Sequence, residues 1–135
     1  DGRLTLPGAF GKHLSMIPAP LPIKTRDVDG VVVLDIDGEI RRSDAPQISL
    51  YGLVQSQLER GRRQVVLNLA GVGIIDSFGV GEILASYKSI QDLGGSFKLC
   101  RISEKLRIIF EITRLVTVLD IHESCEAALD SFGKG

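Results

Sequence analysis

Between residues 71 and 81 the chain reads Gly-Val-Gly-Ile-Ile-Asp-Ser-Phe-Gly-Val-Gly, which gathers a carboxylate, a hydroxyl and four glycines into one short passage. Three chemistries fit parts of it. A dinucleotide-binding loop would use Gly71 and Gly73 as the first glycines of a Gly-x-Gly-x-x-Gly turn, but the third position is Asp76, whose carboxylate repels a pyrophosphate. Counted from Gly79 and Gly81, the third position is Leu84, already inside a helical pattern. A serine hydrolase would use Ser77 in a Gly-x-Ser-x-Gly elbow; Gly79 fits that pattern and Ile75 does not. A serine also needs a base. The two histidines, His13 and His122, stand near the two ends of the chain, and Asp120 is too close to His122 in sequence to be the usual triad acid. In the third chemistry Asp76 and Ser77 form the capped mouth of a helix. There Ser77 is either the N-cap itself, accepting backbone N–H bonds, or a hydroxyl presented to another protein's chemistry. Spacing alone leaves that choice open.

The bulk composition narrows the partners. With 135 residues, 44% hydrophobic and 24% charged, the chain has the makeup of one globular domain with no room for a second. Sixteen basic residues balance 17 acidic ones and tryptophan is absent, so the basic footprint and stacking aromatics of a nucleic-acid binder are missing. No run approaches the roughly 18 apolar residues of a membrane span. Cys100 and Cys125 read as core filler of a protein from a reducing cytoplasm, and the scattered cysteines and histidines lack the close ligand spacing of a metal site. No cofactor motif survives the comparison above.

The elements that must hold residues 71–81 follow from pattern. Residues 1–22, rich in glycine and proline, read as a flexible leader outside the domain. Met16, the sole methionine, is a candidate native start, which would make residues 1–15 an appended segment. Ile23 to Val28 and Val31 to Asp37 read as strands joined by an Asp29-Gly30 hairpin turn. After Gly38 the period turns helical, with Ser43 as cap, Pro46 in the first turn, and Ile48, Tyr51, Val54 and Leu58 on one face up to Gly61. Gln64 to Leu69 is a buried-strand run from which Ala70 to Gly73 should turn away. A helix from Ser77 carries Val80, Ile83, Leu84, Tyr87 and Ile90 on one face and ends at Gly94-Gly95. Ser96 to Arg101 is a strand, Ser103 caps a helix bearing Leu106, Ile109 and Phe110, Thr117 to Ile121 is a last strand, and Ser124 to Phe132 a closing helix. The expectation is an α/β domain over residues 23–132, of order β-β-α-β-α-β-α-β-α, with four helices, an N-terminal β-hairpin and a mixed sheet.

Gly38-Glu39-Ile40, the strand Val65 to Leu69 with Ala70-Gly71-Val72, and Asp76-Ser77-Phe78-Gly79-Val80-Gly81 resemble the bacterial anti-sigma factor antagonists of the STAS superfamily. The similarity runs on through Gly94-Gly95, Ser96 to Ser103, Thr113-Arg114-Leu115 and the closing helix. The resemblance implies a single STAS-like domain that is not an enzyme, takes no cofactor, and works by protein binding in the cytoplasm without touching nucleic acid or membrane. Its implied partner is an anti-sigma factor that is also a serine kinase. In that scheme Ser77 is the phospho-acceptor, Asp76 the neighbouring acid, and Gly79 and Gly81 the positions that let the partner approach. Phosphorylation blocks binding, the unmodified form frees a sigma factor for transcription, and a phosphatase resets the switch.

Three positions depart from the family pattern. Phe78 replaces the usual Ser or Thr after the acceptor, Arg41 stands where a Gly-Glu-Leu-Asp loop carries aspartate and is followed by Arg42, and Asn68 replaces a strand aspartate. Arg41 and Arg42 are candidates to hold a phosphate by charge-assisted hydrogen bonds, and Phe78 to fill a pocket on the partner. The rival reading within the same fold is a scaffold or transporter-associated STAS module that is never phosphorylated.

Overall fold

The computed structural model describes residues 23–41 and 49–133. The leader, with His13 and Met16, and the stretch holding Arg42, Ser43, Pro46 and Ile48 lie outside the described residues. Strands β1 (Ile23–Val28) and β2 (Val31–Ile40) form the expected antiparallel hairpin, with Asp29 at φ 52° and Gly30 at φ 86° making its turn. There follow α1 (Leu50–Glu59), β3 (Gln64–Ile75), α2 (Ser77–Asp92), β4 (Ser96–Cys100), α3 (Glu104–Ile112), β5 (Asp120–His122) and α4 (Cys125–Gly133). The sheet order is β1-β2-β3-β4-β5, and every pair after the hairpin is parallel. That is the mixed sheet expected from strand–helix alternation after a hairpin.

Period-2 alternation along the central strands sorts the core into two layers. Val32, Leu34 and Ile36 of β2 join Val65, Leu67 and Leu69 of β3 in the main core, which Val54, Ile83, Ile90, Leu106 and Phe110 of α1 to α3 cover. Val31, Val33, Val66 and Cys100 point the other way and meet Ala128 of α4, with Cys125, Leu129 and Phe132 packed around them. Both cysteines are free thiols in this second layer, and burial pushes the Cys100 thiol well up from its ordinary value.

The structure corrects the pattern reading at three places. β2 and β3 do not stop near Gly38 and Leu69; they continue as a two-stranded ribbon in which Glu39 pairs with Ile74 and Ile40 with Ile75. Register shifts between Asp35 and Asp37 and between Gly38 and Glu39 are absorbed by Gly38 at φ 124° and by Gly71, where a Cβ would stand 2.8 Å from the Asp37 carboxylate. These glycines serve a bulge and a close approach, so their turn-like look misleads. The cap seen on α1 is Ser49, whose hydroxyl accepts from the Gly52 N–H at 2.9 Å. Lastly, Leu115–Thr117 forms a 3-10 turn and β5 begins only at Asp120. Thr117 donates its hydroxyl to the Arg114 carbonyl at 2.7 Å, and Leu115 and Leu119 are buried together, so local bonding and two anchors outcompete the strand propensity of the β-branched residues between them.

Candidate functional site

α2 begins where the β2–β3 ribbon ends. Asp76 leaves the strand in an extended conformation, its backbone N–H donates to the Ile40 carbonyl at 3.3 Å, and its carboxylate Oδ1 accepts from the Gly79 N–H at 2.9 Å. Asp76 is therefore the N-cap, and Ser77 is the first helical residue. The consequence is chemical. With capping done by the neighbour, Ser77 is exposed and its hydroxyl makes no hydrogen bond to another described residue.

Gly79 explains how the helix start seats so closely. A Cβ there would lie 2.1 Å from the Ile40 carbonyl oxygen and 2.8 Å from the Ile75 side chain, so Gly79 is buried against β2. Gly81 differs: it is exposed, and a Cβ added there would meet nothing within 4 Å. Phe78 and Ile74 are 40% and 41% exposed, so large apolar side chains meet solvent at the end of β3 and in the first turn of α2. Arg41 follows Ile40, the last residue of β2, and its Nε lies 2.6 Å from Glu39 Oε1. The rest of α2 is tied to α1. The Tyr51 N–H donates to Glu82 Oε1 at 3.4 Å, and Gln55 Nε2 donates to the Tyr51 hydroxyl at 2.6 Å, which lies 3.4 Å from Ser89 Oγ.

This geometry removes the footing of two sequence readings. Gly71 and Gly73 lie in strand β3, so the phosphate-cradling loop of a dinucleotide site is not formed. His122 stands on β5, two strands from β3, with its Nε2 3.0 Å from Asp120 Oδ1, and does not serve Ser77 as a base. Among the described residues no cluster of three His, Cys, Asp or Glu could hold a metal ion, and no helix is long and apolar enough to cross a membrane.

Sequence reasoning missed a polar network on the face of the sheet that also packs against α4. Arg26 donates to both Asp35 oxygens, at 2.5 and 3.0 Å, and Asn68 Nδ2 donates to Asp35 Oδ1 at 2.7 Å. The Asn68 oxygen in turn accepts from the Ala70 N–H at 3.2 Å. An aspartate at position 68 would set two carboxylates against each other here, so the amide suits this chain. A signal existed: hairpin register places Asp35 diagonally across from Arg26. The Arg26 hydrogen bond, helped by Asn68, holds the Asp35 carboxyl below its ordinary value of 3.8. A depressed folded-state value means stability that is present above pH 3.8 and lost as pH falls through the lower folded value. Urea titrations at pH 6 and pH 3 should therefore show a smaller acid-induced loss of stability in Asp35→Asn than in the parent chain. An equal loss in both would remove Asp35 from the acid response.

An exposed hydroxyl in the first turn of a helix, with two exposed apolar side chains within three residues of it, suits a protein-interaction module built on an α/β sheet. Comparison with known proteins agrees. The STAS domain model matches residues 22–128, and the chain belongs to that family, among its anti-sigma factor antagonists. The anti-sigma-B factor antagonist of Listeria monocytogenes is 31% identical over 103 residues, which span 75% of this chain and 86% of the relative. The crystal structure of an anti-sigma factor antagonist from Mycobacterium paratuberculosis superposes with a TM-score of 0.70 at 25% identity, over 85% of this chain and 97% of that one. The fold is also that of the antagonist SpoIIAA, solved in unphosphorylated and phosphorylated forms, with TM-scores of 0.59 and 0.62 at 16% and 19% identity and coverage of 84% and 82% of this chain and 98% of each.

Proposed function

We propose that this chain is an anti-sigma factor antagonist of the bacterial cytoplasm, a binding module without catalysis of its own, whose capture of an anti-sigma factor is switched by phosphorylation of Ser77. The observation that carries the reading is the division of labour at the start of α2: Asp76 caps the helix, and the Ser77 hydroxyl is exposed with no hydrogen bond to another described residue. Phe78 and Ile74 supply the apolar contact around it, and Gly81 leaves room for an approaching surface.

A phosphate on Ser77 brings about −1.5 to −2 charges at pH 7 to a helix N-terminus, where the dipole favours anions. The domain tolerates it. In the complex the same charge sits within an interface, where it adds bulk and desolvation cost and repels any acidic surface on the partner. In this reading Arg41, just past the end of β2, exchanges its Glu39 partner for the phosphate, and Arg42 follows it in sequence.

The partner under this reading is an anti-sigma factor with serine kinase activity, and a phosphoprotein phosphatase removes the mark. Incubating the full chain with its cognate kinase and ATP should add one phosphate, at Ser77, as read by mass spectrometry of peptides. Modification at another serine would overturn the site, and a kinase partner that binds tightly yet leaves Ser77 unmodified would favour a constitutive docking scaffold.

A further inference from the structure

The outer face of α3 is apolar in its middle and charged toward both ends. Leu106 and Phe110 are buried in the core, which leaves Glu104, Lys105, Ile108, Glu111 and Ile112 outward. Ile112 is 76% exposed and Ile108 48%, one helical turn apart, and Val116 and Val118 continue as exposed apolar side chains beyond the helix. Scattered exposed apolar residues are ordinary; two stacked on one narrow stripe flanked by charge are not. Among the described residues neither Lys105 nor Glu111 enters an ion pair, whereas Lys88 and Lys98 each have an aspartate.

The stripe is symmetric about Ile108. Its members stand four and three residues before it and three and four after it. An antiparallel copy of the same helix, related by a two-fold axis through Ile108, therefore sets Lys105 of each copy opposite Glu111 of the other. Ile108 meets its own equivalent, and Ile112 rests on the methylene stems of the opposing Glu104 and Lys105. A parallel arrangement would instead set Lys105 on Lys105 and Glu111 on Glu111. From this self-complementary face we propose that α3 pairs with α3 of a second copy of this chain, forming an antiparallel, two-fold symmetric homodimer held by Ile108 and Ile112 and registered by two Lys105–Glu111 contacts. A single helix pair covers less than a standard interface, so the dimer is weak, with a dissociation constant on the order of 100 µM.

Sedimentation velocity of the full chain from about 10 µM to 1 mM at low salt reads this directly. The parent chain should shift from monomer toward dimer across that range; a monomer throughout overturns the proposal. Lys105→Glu and Glu111→Lys should each weaken self-association about tenfold or more, because each puts like charges together twice per dimer. Both positions are exposed, and unchanged circular dichroism shows that the variants remain folded. The decisive arm mixes the two variants in equal amounts. In the mixed dimer the Lys105→Glu copy is acidic at both positions and the Glu111→Lys copy basic at both, so opposite charges face each other at both contacts and association should exceed that of either variant alone. If the mixture stays monomeric, or if either single variant dimerises like the parent, the antiparallel register is wrong and the proposal fails.

Discussion

An aspartate in place of Ser77 is expected to weaken binding to the anti-sigma factor by about 100-fold or more while the melting temperature stays within a few degrees of the parent's. The two halves of that result have separate causes. Ser77 is the first residue of α2, exposed, and not responsible for the cap, so a carboxylate there meets solvent and a favourable helix dipole. The contribution to the isolated domain is about 0.3–1 kcal/mol and stabilising. Under the proposed function the same carboxylate is stripped of water within the interface, and an unpaired buried charge there costs several kcal/mol. Ser77→Ala should keep the binding and lose the response to kinase. Titration calorimetry and thermal melts on the same preparations give both numbers. Unaltered affinity in Ser77→Asp, or a collapse of its melting transition, would each contradict a switch made of local charge.

The second large effect concerns stability. Gly79→Ala should destabilise the domain by about 2–4 kcal/mol, because its new methyl group would have to occupy space 2.1 Å from the Ile40 carbonyl oxygen, which is backbone and cannot rotate away. Either α2 lifts from the end of β2 or the ribbon bends; both loosen the Asp76 N–H bond to Ile40 and the presentation of Ser77. Gly81→Ala, two residues on in the same helix, meets open space and should be neutral or stabilising by up to about 1 kcal/mol. For a domain of this size the pair should differ in melting temperature by roughly 10 °C or more. Equal melting temperatures would show that Gly79 is not the seat of the helix.

Much of the scaffold was legible because its signals are local. The Asp29-Gly30 turn needs two positive φ values and has the residues that adopt them. α2 and α3 carry their core faces at helical spacing, and Ser103 caps α3 as its position suggests, accepting from the Leu106 N–H at 3.2 Å. The segment from Asp76 to Gly81 stood out for its residue types before any fold was known. Where local signals conflicted, the pattern failed. Glycines at 38 and 71 looked like strand ends and are bulge and contact points, and a β-branched stretch after Arg114 looked like a strand and closed into a turn.

Residue types and periodicity indicated the α/β architecture and singled out the passage from Asp76 to Gly81, since each depends on neighbours within a few positions along the chain; the family came from resemblance and from comparison with known proteins. Tertiary structure decided the roles inside that passage. Whether Asp76 or Ser77 caps the helix depends on where β3 ends, and that depends on its pairing with Ile40, about 35 residues earlier in the chain. The same pairing buries Gly79 and leaves Ser77 in solvent, a distinction between two residues of one turn that only the packing of distant strands can make.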